Sequence, residues 1–131
     1  MTNTMSPKEI VLAAARLFEE MRGIEATDLY FSPDYIEHNP TIPGGGLPGF
    51  VQLLEDEGFT TGSNDRKLEF HIHHVMEQGD YVFLHQHVTE PGKPSLYIMD
   101  LYRIADGKIA EHWDVMQLPP ETPANTVHPM A

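Results

Sequence analysis

Apolar residues recur with a helical period in the first part of the chain and alternate with polar ones from Lys67 onward. Ser6-Pro7-Lys8-Glu9 is a helix start: Ser6 caps, Pro7 suits the first helical position and Glu9 completes a capping box. Ile10, Val11, Ala14, Leu17, Phe18 and Met21 follow at helical spacing, with Gly23 as the stop. A second short helix is expected over Glu25–Tyr30. A third is expected over Phe50–Glu57, where Phe50, Leu53 and Leu54 share one side and Gly58 follows. Between them Ser32-Pro33-Asp34 reads as a turn leading into YIEHNP, and TIPGGGLPG (41–49) as a loop.

The alternating part predicts four strands, Lys67–Met76, Tyr81–Glu90, Ser95–Ile104 and Lys108–Gln117, separated by EQGD, PGKP and ADGK. Three helices followed by an antiparallel meander make an α+β domain, with the helices on one face of a curved sheet. Residues 1–117 are read as one domain, and the Pro-rich tail 118–131 as an extended segment on the surface.

The last hairpin, DLYRIADGKIAEHWD (100–114), carries the candidate chemistry. ADG suits a three-residue loop with Gly107 left-handed. That loop sets Asp100 opposite His112, Ile98 opposite Asp114 and Leu96 opposite Met116, all on one sheet face. The other face takes Tyr97, Met99, Trp113 and Val115. Two acids about 5–7 Å apart in a partly apolar wall cannot both ionise freely. Their pKa values separate, leaving one as proton acceptor and the other as donor or orienter. The competing reading leaves both acids at a strand end, paired with Arg103 or Lys108 in solvent.

Composition narrows the partners. Twenty Asp and Glu against eight Lys and Arg give a net charge of -12, which opposes nucleic-acid backbones and anionic membranes. Cysteine is absent, so disulfides and thiolate metal sites are excluded. MTNTMSPKEI lacks a basic and then apolar signal region, and a cytoplasmic location is the expectation. Gly44-Gly45-Gly46 has no following Lys-Ser or Lys-Thr and is a flexible loop rather than a phosphate cradle.

YIEHNP, EQGDYVFLH and DLYRIADGKIAEHWDVMQ together resemble the SnoaL-like branch of the nuclear transport factor 2-like superfamily, from the first helix to about Gln117. The resemblance implies a cone-shaped, cystatin-like α+β fold. In it a bent sheet wraps a long N-terminal helix around a deep pocket, and homodimers form through the outer sheet face. Its polyketide cyclases and ketosteroid isomerases use an acidic base and need neither metal nor organic cofactor. Asp114 falls at the cyclases' catalytic acid in the last strand. Their pocket histidine, one strand earlier, is replaced here by Asp100, so His112 is expected to take the donor role. His38 matches a position that opens towards the pocket in relatives. Ile98 and Met116 are expected in the pocket wall, and Tyr35 is either a core aromatic or a pocket donor. The implied function is a cofactor-independent cyclase or isomerase acting on a small hydrophobic carbonyl compound. The alternative is a non-catalytic binding module with the same pocket.

Five further histidines fall in strands, His71, His73 and His74 as H-x-H-H and His85 and His87 as H-x-H. Residues i and i+2 share a face, so either H-x-H pair could grip a metal. Such pairs are common in sheets without ligand duty, and polar cross-strand pairing is the expected role.

Overall fold

The computed structural model describes residues 5–60, 62 and 66–131. The first helix, α1 (Pro7–Glu19), begins as expected: Ser6 Oγ accepts from the Glu9 N–H, and Glu9 accepts from the Ser6 N–H at 2.9 Å. It stops earlier than its apolar pattern implies, because Met21 itself adopts a left-handed φ of 60°. Gly23 is therefore no cap and instead opens α2 (Gly23–Tyr30). A Cβ there would lie 2.7 Å from the Phe59 carbonyl oxygen, so the position requires glycine for close approach of the chain after α3 (Leu47–Asp56). A 3₁₀ turn at Pro43–Gly45 precedes α3, which starts three residues before its expected beginning.

The turn expected at Ser32-Pro33-Asp34 is a strand, β1 (Phe31–Glu37). It lies at the edge of a five-stranded sheet with β2 (Glu69–Gln78), β3 (Tyr81–Thr89), β4 (Leu96–Ala105) and β5 (Lys108–Gln117), in the order β1-β5-β4-β3-β2. An edge strand tolerates proline, which cannot donate to a ladder. The pairing of β1 to β5 is parallel and irregular between Phe31 and Ile36, so the sheet is mixed rather than a pure antiparallel meander.

The sheet is curved and open, and α1 packs against β2, β3 and β5. Ile10, Val11 and Ala14 from α1 meet Phe31, Tyr35, Val82, Ile104 and Ile109 in the core. Residues 118–131 contain no helix or strand and are mostly exposed.

The hairpin between β4 and β5 corrects the expected register twice. Its turn has two central residues, Asp106 and Gly107, both with positive φ (52° and 75°), as in a type I′ turn. Alone, that turn would put Asp100 opposite Trp113 and send the site residues of β5 to the outer face. The register then slips by one between Ile104 and Arg103, leaving Ala110 as an extra residue. This bulge restores the parity. Asp100 ends opposite Asp114, Ile98 opposite Met116 and Tyr102 opposite His112, with Asp100, His112 and Asp114 on the inner face.

Candidate active site

Alternation along three strands builds one polar cluster at the sheet's inner face. β1 turns Tyr35 and Glu37 inward, β4 turns Asp100 and Tyr102, and β5 turns His112 and Asp114. His112 is the hub. Its Nδ1 lies 2.8 and 3.0 Å from the two oxygens of Glu37, its Nε2 lies 2.8 Å from Asp100 Oδ1, and Asp114 Oδ2 stands 3.9 Å off. Carboxylates only accept, so both ring nitrogens donate and the ring is an imidazolium. Burial opposes that charge, but the hydrogen bonds to Asp100 and Glu37 outweigh it, and the pKa rises to about 9.

Glu37 is held by three donors. Besides His112, Tyr35 donates its hydroxyl at 2.5 Å and the Asn39 N–H donates at 2.9 Å. Burial pushes the Glu37 carboxyl up, yet these partners bring it below its ordinary value. Asp100 is committed as well, to His112 through one oxygen and to the Gln86 amide at 2.9 Å through the other.

Asp114 differs from both. Its closest donor is the Asn39 amide, at 2.9 and 3.2 Å. Asn39 is oriented for this, since its Oδ1 accepts from the N–H and hydroxyl of Thr41 at 2.9 and 2.6 Å. Burial raises the Asp114 pKa, and the nearby Asp100 and Glu37 raise it further against the pull of His112 and Asn39. The cluster thus separates one reluctant carboxylate from two that are fixed as counter-ions. Among the described residues no buried side-chain nitrogen or oxygen lacks a hydrogen-bond partner.

Asp114, Asn39, Gln86, Asp100, Tyr102 and His112 form the polar wall of a cavity of about 340 Å³. Glu19, Glu37 and Thr41 also reach it, and the remaining lining is apolar, with Phe18, Phe50, Phe59 and Phe70 foremost. Tyr102 stacks on His112 with ring centroids 4.6 Å apart. Burial, and then the surrounding carboxylates, push its phenol well above the ordinary value, so it remains a neutral donor. Among the described residues no hydrogen bond engages that hydroxyl.

The expected residues therefore divide. Asp100, His112, Asp114 and Met116 meet in the cavity wall. Tyr35 is 3% exposed and lies in the core behind Glu37 rather than in the wall, and Ile98 is likewise buried outside it. His38 faces the other way. It follows Glu37 in alternation, stacks on Trp113 with centroids 4.7 Å apart and sets its Nε2 2.7 Å from Glu111. The pocket role expected for it does not fit this geometry. Glu37, Asn39 and Gln86 were not anticipated. Gln86 left a signal, as a polar residue on the apolar side of Val82, Leu84 and Val88.

Ligand atoms of Asp100, His112 and Asp114 lie within 4.8 Å of one another, which prompts the question of a metal. Both His112 nitrogens already serve carboxylates, however, and the set is built around a protonated ring rather than a free lone pair.

The model of the SnoaL-like domain matches residues 12–112. The chain belongs to the SnoaL-like family. Solved structures with this fold include a nuclear transport factor 2-like protein of unknown function from Cytophaga hutchinsonii, 16% identical, with a TM-score of 0.69 over 89% of this chain and 95% of that one. A proposed polyketide cyclase from Acidithiobacillus ferrooxidans is 22% identical, with a TM-score of 0.66 over 88% and 91%. Another from Streptomyces antibioticus is 16% identical, with a TM-score of 0.62 over 86% and 92%. At these identities the likeness to each structure concerns the fold. No curated protein matches the chain. No helix among the described residues of this SnoaL-like protein is long and apolar enough to cross a membrane.

Proposed function

We propose that the chain is a cofactor-independent acid–base catalyst of the cyclase and isomerase type, acting on a small hydrophobic carbonyl compound. Asp114 is its general base. The observation that carries this reading is the asymmetry of the cluster: Glu37 and Asp100 are spent on His112, while Asp114 faces an apolar cavity with a raised pKa. A carboxylate in that state accepts a proton from the carbon next to a carbonyl more readily than a solvated one.

Electrons from the broken C–H bond move into the enolate, whose oxygen gains negative charge. Tyr102 donates a hydrogen bond to it, and the fixed positive charge of His112 stabilises it at short range. The enolate then attacks a second carbonyl or takes the proton back from Asp114 at another carbon. Asp100, Glu37 and Gln86 hold His112 charged and in place. The four phenylalanines supply the small hydrophobic substrate with a matching wall.

Deuterium exchange at the α-carbon of a panel of cyclic ketones tests the reading. Asp114→Asn keeps the shape and should slow exchange by about 10²–10⁴. Wild-type protein that exchanges no faster than this variant across the panel refutes it. A binding module is the second reading, favoured by the engagement of both His112 nitrogens, which leaves few groups free for chemistry.

The same reading includes a homodimer. Val115 is 72% exposed and Met99 45%, and both share the outer face with Tyr97 and Trp113. Sedimentation should give twice the chain mass at tens of micromolar, and a stable monomer there removes the dimer.

A further inference from the structure

On the face of the sheet turned away from the pocket, five histidines form one continuous ladder, and a backbone irregularity creates it. Strict alternation along His71-Ile72-His73-His74 would place His71 and His73 on one face and His74 on the other. Instead the register between β2 and β3 slips between Ile72 and His74, so that His71 lies opposite His87 and His74 opposite His85. The extra residue, His73, reaches His87 on the same face. Bulges of this kind re-aim side chains and occur at sites of function.

The rings meet in sequence. His71 and His73 stack on His87 with centroids 4.5 and 4.9 Å apart. His74 lies parallel to His85 at 5.4 Å, and His73 tilts against His85 at 5.2 Å. Their nitrogens approach in two pairs. His73 Nε2 is 2.7 Å from His87 Nδ1, and His74 Nδ1 is 3.1 Å from His85 Nδ1. Two imidazoles bound to one ion at about 2.0–2.1 Å stand about 3.3 Å apart when tetrahedral and about 2.9 Å apart at a right angle. The His74–His85 separation falls between these values. A net charge of -12 also draws cations to the surface.

We propose that this ladder binds a first-row divalent ion of the zinc and copper class, with His74 and His85 as its first ligands, His73 and His87 adjoining, and water completing the shell. The site is separate from the Asp114 cavity and independent of the reaction there. It goes beyond the polar pairing expected of these histidines because the bulge unites residues that alternation divides.

The test uses the untagged full chain, stripped with a chelator and dialysed against zinc chloride at neutral pH, with bound metal counted by mass spectrometry. Saturable uptake of about one ion per chain is expected, since imidazole suits this ion. His74→Ala and His85→Ala should each weaken uptake on the order of tenfold or more, while metal-free melts stay near wild type. If an alanine variant fails to fold, His85→Gln replaces it. Ring nitrogen resonances of His74 and His85 should move on zinc addition. Asp114→Asn should bind zinc as wild type does. Unsaturable uptake by the wild type, full uptake by both histidine variants, or loss of uptake in Asp114→Asn would each overturn the proposal, the last by moving the ion to the cavity.

Discussion

The imidazolium at His112 makes a quantitative demand on stability. Moving a histidine from 6.5 in the unfolded chain to about 9 in the folded one corresponds to about 3 kcal/mol of linkage. Because the folded pKa is the higher, this stabilisation is complete below about 6.5 and disappears as the pH climbs through about 9. The ring is 10% exposed, so little of it is lost to solvent screening. Urea unfolding at about pH 6 and about pH 9.5 should therefore differ by about 3 kcal/mol, with the alkaline sample weaker. Glu37→Gln removes one of the two counter-ions and should both lower overall stability and shrink that difference. Long-range nitrogen–proton spectra of His112 give the direct check, because an imidazolium shows two protonated nitrogens. A ring that is neutral near pH 7, or stability that stays flat across the interval, would refute the argument for a doubly clamped cation.

Other expectations follow from the same contacts. Tyr102→Phe should leave the melt nearly unchanged and lower turnover by about 10²–10³, the usual worth of one oxyanion donor. Asn39→Ala removes the amide that favours ionised Asp114, so the acid limb of the pH–rate profile should move upward, at a stability cost of about 1–2 kcal/mol. Deleting Ala110 removes the bulge and turns His112 and Asp114 to the opposite face; circular dichroism should then show no cooperative transition.

Features that rest on neighbouring residues were readable in the sequence. The capping box at Ser6 and Glu9 and the four long strands needed only local chemistry and alternation. The shared face of Asp100, His112 and Asp114 agrees with alternation, but for a reason the pattern does not contain. The two-residue turn shifts the face and the bulge at Ala110 shifts it back, so two unseen steps cancelled. β1 was illegible because Ser-Pro-Asp has turn chemistry, and only parallel pairing to β5, far along the chain, makes it a strand. Reading it as loop hid the inward turn of Glu37 and gave His38 the wrong side of the sheet.

That parallel pairing has a kinetic consequence. Glu37 and His112 are separated by 75 positions, so the ion pair at the centre of the site closes one of the longest loops in the fold. A chain emerging from the ribosome carries Glu37 for several seconds, at about 5–20 residues per second, before its partner exists. α1 and the β2–β3 hairpin have nearby contacts to make in the meantime, whereas β1 must wait for β5. Assembly of the cluster around His112 is then a late event, and a truncated or stalled chain holds an open edge strand with a solvated carboxylate in place of a site.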